Sequence, residues 1–441
     1  MTRDARLVLI GCYLAMLSVG ENSTAIMAAL PAMTKSLALA PATIEWVVNA
    51  YLLASAVFIV VGGDVADQFG ARRSSAVGSA LFALASLIIA FAPDGAAVVG
   101  ARALQGFGAA FAVSGTLAAV TAAVPDADRA AAIGGWTGFL MLGFSIGPLV
   151  GGVITHYAGW HAVFLLNVLI MIPAAVVLWL HPGTGTQHMK GVDWLGLGLL
   201  ACFMVMLVSG VQALASVHSA PLTAIVPLVL AAIAVVALIR VETRHPHPLI
   251  DFGFFYNRNF ALGCALVFFL MFDILTLLLY FNMFAQAADG LGLSAVAAGF
   301  ALVPLSVALF AFARAAPRLV AAIDQRVAMM AASLVLGLGC AIGWISLAGA
   351  GFPVLLLGLF LSGAGIAVPY ASAPRIALAA LSQTQTGKGS GIVNSCSFLG
   401  GTVGVTCGGI VFEFAGFAGV LVLLGFSALV SAGLCLRLRS A

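Results

Sequence analysis

IEWVVNAYLLASAVFIVVGGDVADQFGARRSSAVGSALFALASLIIAFAP, residues 44–93, holds two long apolar runs separated by a short charged reversal. The runs, near 42–62 and 74–93, each reach the about 20 residues that a helix needs to cross a bilayer. Between them Gly70 permits a left-handed backbone, Asp67 can cap the following helix, and Arg72 and Arg73 hold that end on the cytoplasmic side. The stretch reads as two antiparallel membrane helices, and the rest of the chain is built the same way.

The composition requires it. Of 441 residues, 63% are hydrophobic and 7% are charged, against about 25% charged in an ordinary globular chain. A surface so poor in charge faces lipid, which excludes a cytosolic enzyme, a nucleic-acid binder and a disordered scaffold. Fifty glycines suit helices whose backbones approach closely in the bilayer. The seven cysteines are scattered through apolar stretches without a Cys-x-x-Cys pair, so they read as packing residues and not as a zinc site or a disulfide framework. The apolar run after Met1 continues to Pro31 without a small-residue cleavage site and reads as a retained first span.

Apolar segments of bilayer length bring the count to fourteen spans, the first near 8–31 and the last near 418–436. Only helices satisfy their own backbone in lipid, so the fold class is an all-α integral membrane protein. The spans divide into a six-helix bundle over 1–181, two inserted helices with linkers over 182–259, and a second six-helix bundle over 260–441. With the N-terminus in the cytoplasm, sixteen of the 18 lysines and arginines fall at cytoplasmic positions, Lys190 among them; Lys35 lies outside and Arg102 within a span. That bias excludes thirteen spans but allows twelve or fourteen. The uncharged segments 194–215 and 222–239, joined by a short outside loop with His218, favour fourteen.

Three stretches carry a family resemblance: GGDVADQFGARR (62–73), RALQGFGAA (102–110) and GFSIGPLVGG (143–152). In order and spacing they resemble the loop 2–3, span 4 and span 5 motifs of the major facilitator superfamily. Together with IEWVVNAYLLA, GWHAVFLLN and ETRHPHPLIDFGFFYNRNF they look like the fourteen-span drug:proton antiporters of the EmrB/QacA type. The resemblance implies a facilitator fold of two six-helix bundles with two extra central helices. It implies alternating access and proton-coupled export of lipophilic drugs or similar small molecules across a bacterial cytoplasmic membrane, both termini inside. It also assigns a cytoplasmic gate motif to Gly63, Asp67, Gly70, Arg72 and Arg73, and an antiporter motif to Gly143, Gly147, Pro148, Gly151 and Gly152. The partners implied are protons, a small substrate and the bilayer, with no nucleic acid, no metal and no cofactor besides the proton gradient, and a monomer as the working unit.

Two departures stand out. Asn22 occupies the position matching the family's span 1 aspartate, with Glu21 one residue earlier, about 100° away around the helix. His161 stands where the family carries an arginine in span 6. The second half repeats the first: GLFLSGAGIA (358–367) aligns with ARALQGFGAA (101–110) but has Leu359 for Arg102, and GGTVGVTCGG (400–409) echoes the span 5 motif without its proline. Features of both copies read as packing; those of the first alone are candidates for function.

Glu21, Arg102 and Asp273 sit at membrane depth, where a charge costs about 2.5–3.5 kcal/mol on insertion scales and faces a partner or a cavity. They read either as a structural ion pair, Glu21 with Arg102, or as groups that load and release a proton. At helical spacing Phe269, Asp273, Tyr280 and Phe284 share roughly one face, which suits a lipophilic cation if the rings turn inward and lipid if they turn out. Asn22, Asn49, Tyr51, Gln105 and Asn394 are further cavity candidates, equally explained by interhelical hydrogen bonds. Gly143, Gly147 and Gly151 present a smooth ridge that is a hinge or simply close packing. Asp64 reads as a solvated end-of-span residue, and His245 and His247 as linker. SQTQTGKGSG (382–391) lacks the first glycine and the Ser/Thr of a phosphate loop, and no nucleophile–base pair marks an enzyme. The rival readings are a facilitator importing or exchanging a metabolite, and a non-transporting membrane sensor.

Overall fold

A computed structural model describes residues 3–181, 193–216, 220–245, 248–382 and 385–438, with all their side chains except those of 64, 67, 126, 130, 215, 216 and 321. Lys190, His218 and His247, and the side chains of Asp64 and Asp67, lie outside that description. The described chain is helical, and its helices are long and apolar enough to cross a bilayer.

The first compact unit runs to Leu197. It contains α1 (Arg3–Leu37), α2 (Pro41–Phe69), α3 (Ala71–Ala90), α4 (Gly95–Ala123), α5 (Arg129–Ala158) and α6 (Trp160–Leu180). Packing joins α1 to α5 and α6, α2 to α4, and α3 to α4 and α6. The reversal between α2 and α3 is a single residue, Gly70, at φ 93°, a left-handed geometry that glycine adopts without strain. It serves as C-cap of one helix and N-cap of the next, and no side-chain hydrogen bond caps α3 among the described residues.

The second unit runs from Gly198 to Ala441. It holds most of α7 (Trp194–Gln212), then α8 (Pro221–Glu242), α9 (Arg258–Gln286), α10 (Ala295–Ala301), α11 (Val303–Ala322), α12 (Gln325–Ile345), α13 (Phe352–Ala379) and α14 (Thr386–Leu436). Only Ala224, Ala231, Ala234, Leu238 and Glu242 of α8 are buried. Gly210 of α7 fits against Leu228 of α8, and the Ile250 N–H donates to Glu242 Oε2 at 3.1 Å, folding the following linker back onto α8.

Helix α14 is 51 residues long, about 76 Å at 1.5 Å per residue, against a hydrocarbon core of about 30 Å. Gly416, at φ 61° and ψ −162°, breaks it. It therefore comprises two bilayer lengths, and α10 with α11 makes one, so the 13 spanning helices among the described residues become fourteen segments once α14 is divided at Gly416.

The halves pack alike. Helix α9 lies against α14 and α13, α11 against α13, and α12 against α13 and α14. Gly106 fits against the Tyr51 carbonyl of α2, and Gly363 against the Leu305 carbonyl of α11. Gly108 meets the Phe82 amide of α3, and Gly365 the Leu336 amide of α12. The glycines shared by both copies are thus close-approach positions.

Candidate functional site

A chain of buried polar side chains runs through the first unit. Arg102 of α4 is 1% exposed. Its Nε donates to the Val47 carbonyl of α2 at 2.8 Å, its fork also donates to Gln105 Oε1, and its Cζ stands 4.3 Å from the centroid of the Tyr51 ring, a cation–π arrangement. Gln105 Nε2 donates to Ser86 Oγ of α3 at 2.7 Å and to Asn22 Oδ1 of α1 at 3.3 Å. Asn167 Nδ2 of α6 donates to the same Asn22 oxygen at 3.0 Å, and its own Oδ1 accepts from Ser18 at 2.8 Å. Five helices therefore meet at one node, whose cation is held by neutral dipoles and a π face.

The ion pair between Glu21 and Arg102, one of the two alternatives read from the sequence, does not form. Both Glu21 oxygens are buried without a hydrogen-bond partner among the described residues, although Asn22 beside it is bound twice. The 100° step around α1 separates them: Asn22 turns into the node and Glu21 does not. An uncompensated charge in such a place is strongly unfavourable. Asn49 of α2 is fully buried as well.

The glycine ridge of α5 meets α1. Gly143 lies against the Leu17 carbonyl, Gly147 against the Thr24 hydroxyl and Glu21 carbonyl, and Gly151 against Ala25; Gly152 is buried beside them. Pro148, within the same helix, has no N–H to give the Phe144 carbonyl four residues earlier. Thr24 Oγ1 donates to that carbonyl at 3.1 Å. Thr24 escaped the sequence reading; it lies two residues after Asn22, about 200° further around α1, and nothing in the sequence pairs it with Phe144.

At the reversal between α2 and α3, Arg72 donates to the His181 carbonyl at the end of α6, at 3.1 Å. The His181 ring lies 3.8 Å from an Asp4 oxygen of α1. Arg73 and Gly63 are exposed.

In the second unit Asp273 of α9 is 2% exposed and its Oδ1 has no hydrogen-bond partner among the described residues. It lines a small cavity of about 10 Å³ with Ser333 of α12, Pro369 of α13 and Ser431 of α14, room for one water. The aromatic residues sharing its helix face are not gathered around it. Tyr280 donates to the Val405 carbonyl at 2.6 Å and packs on Phe412, Phe284 stacks on Phe417, and Phe269 is half-buried against Phe268 and Phe272. The wall of the cavity is aliphatic and hydroxylic, so the ring cage for a cation, one of the two alternatives read from the sequence, does not form around Asp273. Asn394 turns back on its own helix, donating to the Ser390 carbonyl at 2.9 Å.

The sequence model of the Major Facilitator Superfamily matches residues 12–341. The multidrug resistance protein Stp of Mycobacterium tuberculosis is 30% identical over 409 residues, covering 92% of this chain and 75% of that protein. The methylenomycin A resistance protein of Bacillus subtilis is 27% identical over 446 residues, covering 95% of this chain and 92% of that protein. The xylose transporter XylE from E. coli, solved in a partially occluded inward-open conformation, has the same fold, with a TM-score of 0.66 at 14% identity over 99% of this chain and 100% of that one. The chain is a multi-pass membrane transporter and belongs to the Major Facilitator Superfamily.

Proposed function

We propose that the protein exports lipophilic small molecules of antibiotic type from the cytoplasm by alternating access, driven by protons moving the other way. The observation that carries this reading is the set of buried charges in the spans that have no ion-pair partner among the described residues: Glu21, Arg102 and Asp273. A protein that only had to stand in the membrane would neutralise such groups or do without them, because each is costly there. A carboxyl group that is alternately protonated and met by another ligand turns that cost into coupling. The substrate class follows the two resistance proteins to which the chain is similar. In this reading the division 1–181, 182–259 and 260–441 describes two transporting bundles and an inserted pair, the membrane is the bacterial inner membrane with both termini inside, the energy source is the proton gradient without a cofactor, and the monomer suffices.

The test is a susceptibility panel on a drug-sensitive bacterial strain with and without the protein, combined with ethidium accumulation in the same cells. Export predicts raised resistance to several lipophilic compounds and low ethidium accumulation that a protonophore reverses. An importing facilitator would instead raise accumulation, and a sensor would leave both readouts unchanged.

A further inference from the structure

The packing contacts fix the register between the two halves residue by residue. Gly143 meets the Leu17 carbonyl as Gly400 meets that of Phe268, and Gly147 meets the Glu21 carbonyl as Gly404 meets that of Phe272. Helix α1 therefore superimposes on α9 with Glu21 at Phe272, which puts Asn22 at Asp273. Through Gly108 and Gly365, Phe82 corresponds to Leu336, and so Ser86 corresponds to Cys340. The aligned motifs place Gln105 at Ser362 and Arg102 at Leu359. The node Asn22–Ser86–Gln105 thus recurs as Asp273–Cys340–Ser362, with a carboxyl group where the first copy has an amide and no arginine beside it.

The two nodes differ at the acceptor oxygen. Asn22 Oδ1 accepts two hydrogen bonds. Asp273 Oδ1 accepts none among the described residues, and the Ser427 hydroxyl stands close without a formed bond. Beside the second node a small cavity opens, lined by Asp273, Ser333, Leu336, Gly365 and Ser431. A water in it would have three polar partners, as a buried water needs, but a drug-sized cation would not fit. The Cys340 thiol of α12 faces Asp273, and the Cys435 thiol of α14 adjoins Ser333. Helix α13 contributes hydroxyl and backbone groups, α14 the Ser427 and Ser431 hydroxyls, and α10 has no titratable residue; Arg258, Arg326, Arg375, Lys388 and Glu413 stand towards helix ends or the break at Gly416. With no cation in reach among the described residues, the group that neutralises Asp273 has to be as small as the space.

Resting on the proton-driven reading above, we propose that Asp273 is the site at which the coupling proton is bound and released, through one water held by Ser333 and Ser431, and that it does not bind the exported cation. Asp273 is then the second-half counterpart of Asn22, and the two halves divide the work: a hydrogen-bonded node around Arg102 and a protonatable node around Asp273.

The test uses the full-length protein in liposomes with ethidium as the probe. Two quantities are measured: accumulation driven by a pH gradient, and gradient-free exchange as a function of pH. Asp273→Asn should abolish the driven accumulation and flatten the pH profile of exchange, while measurable exchange shows that the variant is folded. Asp273→Glu should restore a pH-dependent profile. Driven accumulation and a pH profile like wild type in Asp273→Asn would overturn the proposal. So would accumulation driven by a sodium gradient that Asp273→Asn removes, which would make the site a sodium site. If wild type exchanges ethidium but no pH gradient drives its accumulation, the exporter reading falls, and the site is judged by the exchange profile alone: flattened in Asp273→Asn it stands, unchanged it falls.

Discussion

Thr24 of α1 donates its hydroxyl to the Phe144 carbonyl of α5 at 3.1 Å, the carbonyl that Pro148 leaves without its helical partner. The proline of the span 5 motif and the threonine of span 1 therefore form one device: the bond missing inside α5 is replaced by a bond to α1. Thr24→Val, nearly the same shape, should cost about 1–3 kcal/mol, the range for a buried acceptor losing its donor. In a Pro148→Ala background, where the helix can bond to Phe144 itself, the cost should shrink. Thermal unfolding in detergent of the two single variants and the double variant measures the coupling. Additive losses would show that the two residues act independently.

The glycine ridge predicts position-specific effects along one helix. A Cβ at Gly147 would collide with the Thr24 hydroxyl and approach the Glu21 carbonyl, whereas one at Gly138 has nothing within 4 Å. Gly147→Ala should destabilise by about 1–3 kcal/mol, as overpacking does, and depress ethidium export. Gly138→Ala should be neutral in both. Equal effects of the two would remove the close α1–α5 approach as the reason for the motif.

Arg102 holds Val47, Gln105 and the Tyr51 ring at once, and its counterpart in the second half is Leu359, itself buried. A leucine therefore suffices for packing at this depth. Arg102→Ala should reach the membrane and lose proton-driven export. Arg102→Lys should lose most of it, because an ammonium lacks the planar fork and the stacking surface. Ethidium transport in everted vesicles, normalised to protein in the membrane by immunoblot, checks both; near-normal export by the alanine variant would make the charge dispensable.

Helix α8 is 22 residues long, about 33 Å at 1.5 Å per residue, and is mostly exposed to whatever surrounds it. If it spans the bilayer, single cysteines at Ala220 and Thr243, in a cysteine-free background, should react with an impermeant maleimide from opposite sides. Labelling of both from one side would remove the pair α7–α8 from the membrane and reduce the spans to twelve.

The break at Gly416 combines φ 61° with ψ −162°, a region open essentially to glycine alone. Gly416→Ala has open space for its methyl group, so its cost is backbone strain of about 1–3 kcal/mol. Lowered thermal stability with retained membrane insertion is the expected outcome, read by unfolding of the purified variant.

The sequence by itself determined what depends on local composition and on period. Charge-poor runs of bilayer length locate the helices, Gly70 locates the reversal between α2 and α3, and the repeated glycines of 101–110 and 358–367 locate the close approaches, because a missing side chain has the same effect wherever its helix packs. It also exposed Glu21, Arg102 and Asp273 as groups needing an explanation, since a charge in lipid is costly in any arrangement. Only the tertiary structure decided what those groups meet. A step of one residue is a turn of about 100°, so whether Glu21 or Asn22 enters the node depends on how α1 is rotated against α4 and α6, and nothing in the string ENST states that rotation. The same holds for Asp273 and the rings of α9: their shared face was legible, but Tyr280 and Phe284 are drawn to α14, while Asp273 turns to a water-sized gap walled by residues of α12, α13 and α14. Pairings of this kind join residues more than a hundred positions apart, as Thr24 joins Phe144, and they are fixed by which helices touch and in what register, which is a property of the packed bundle.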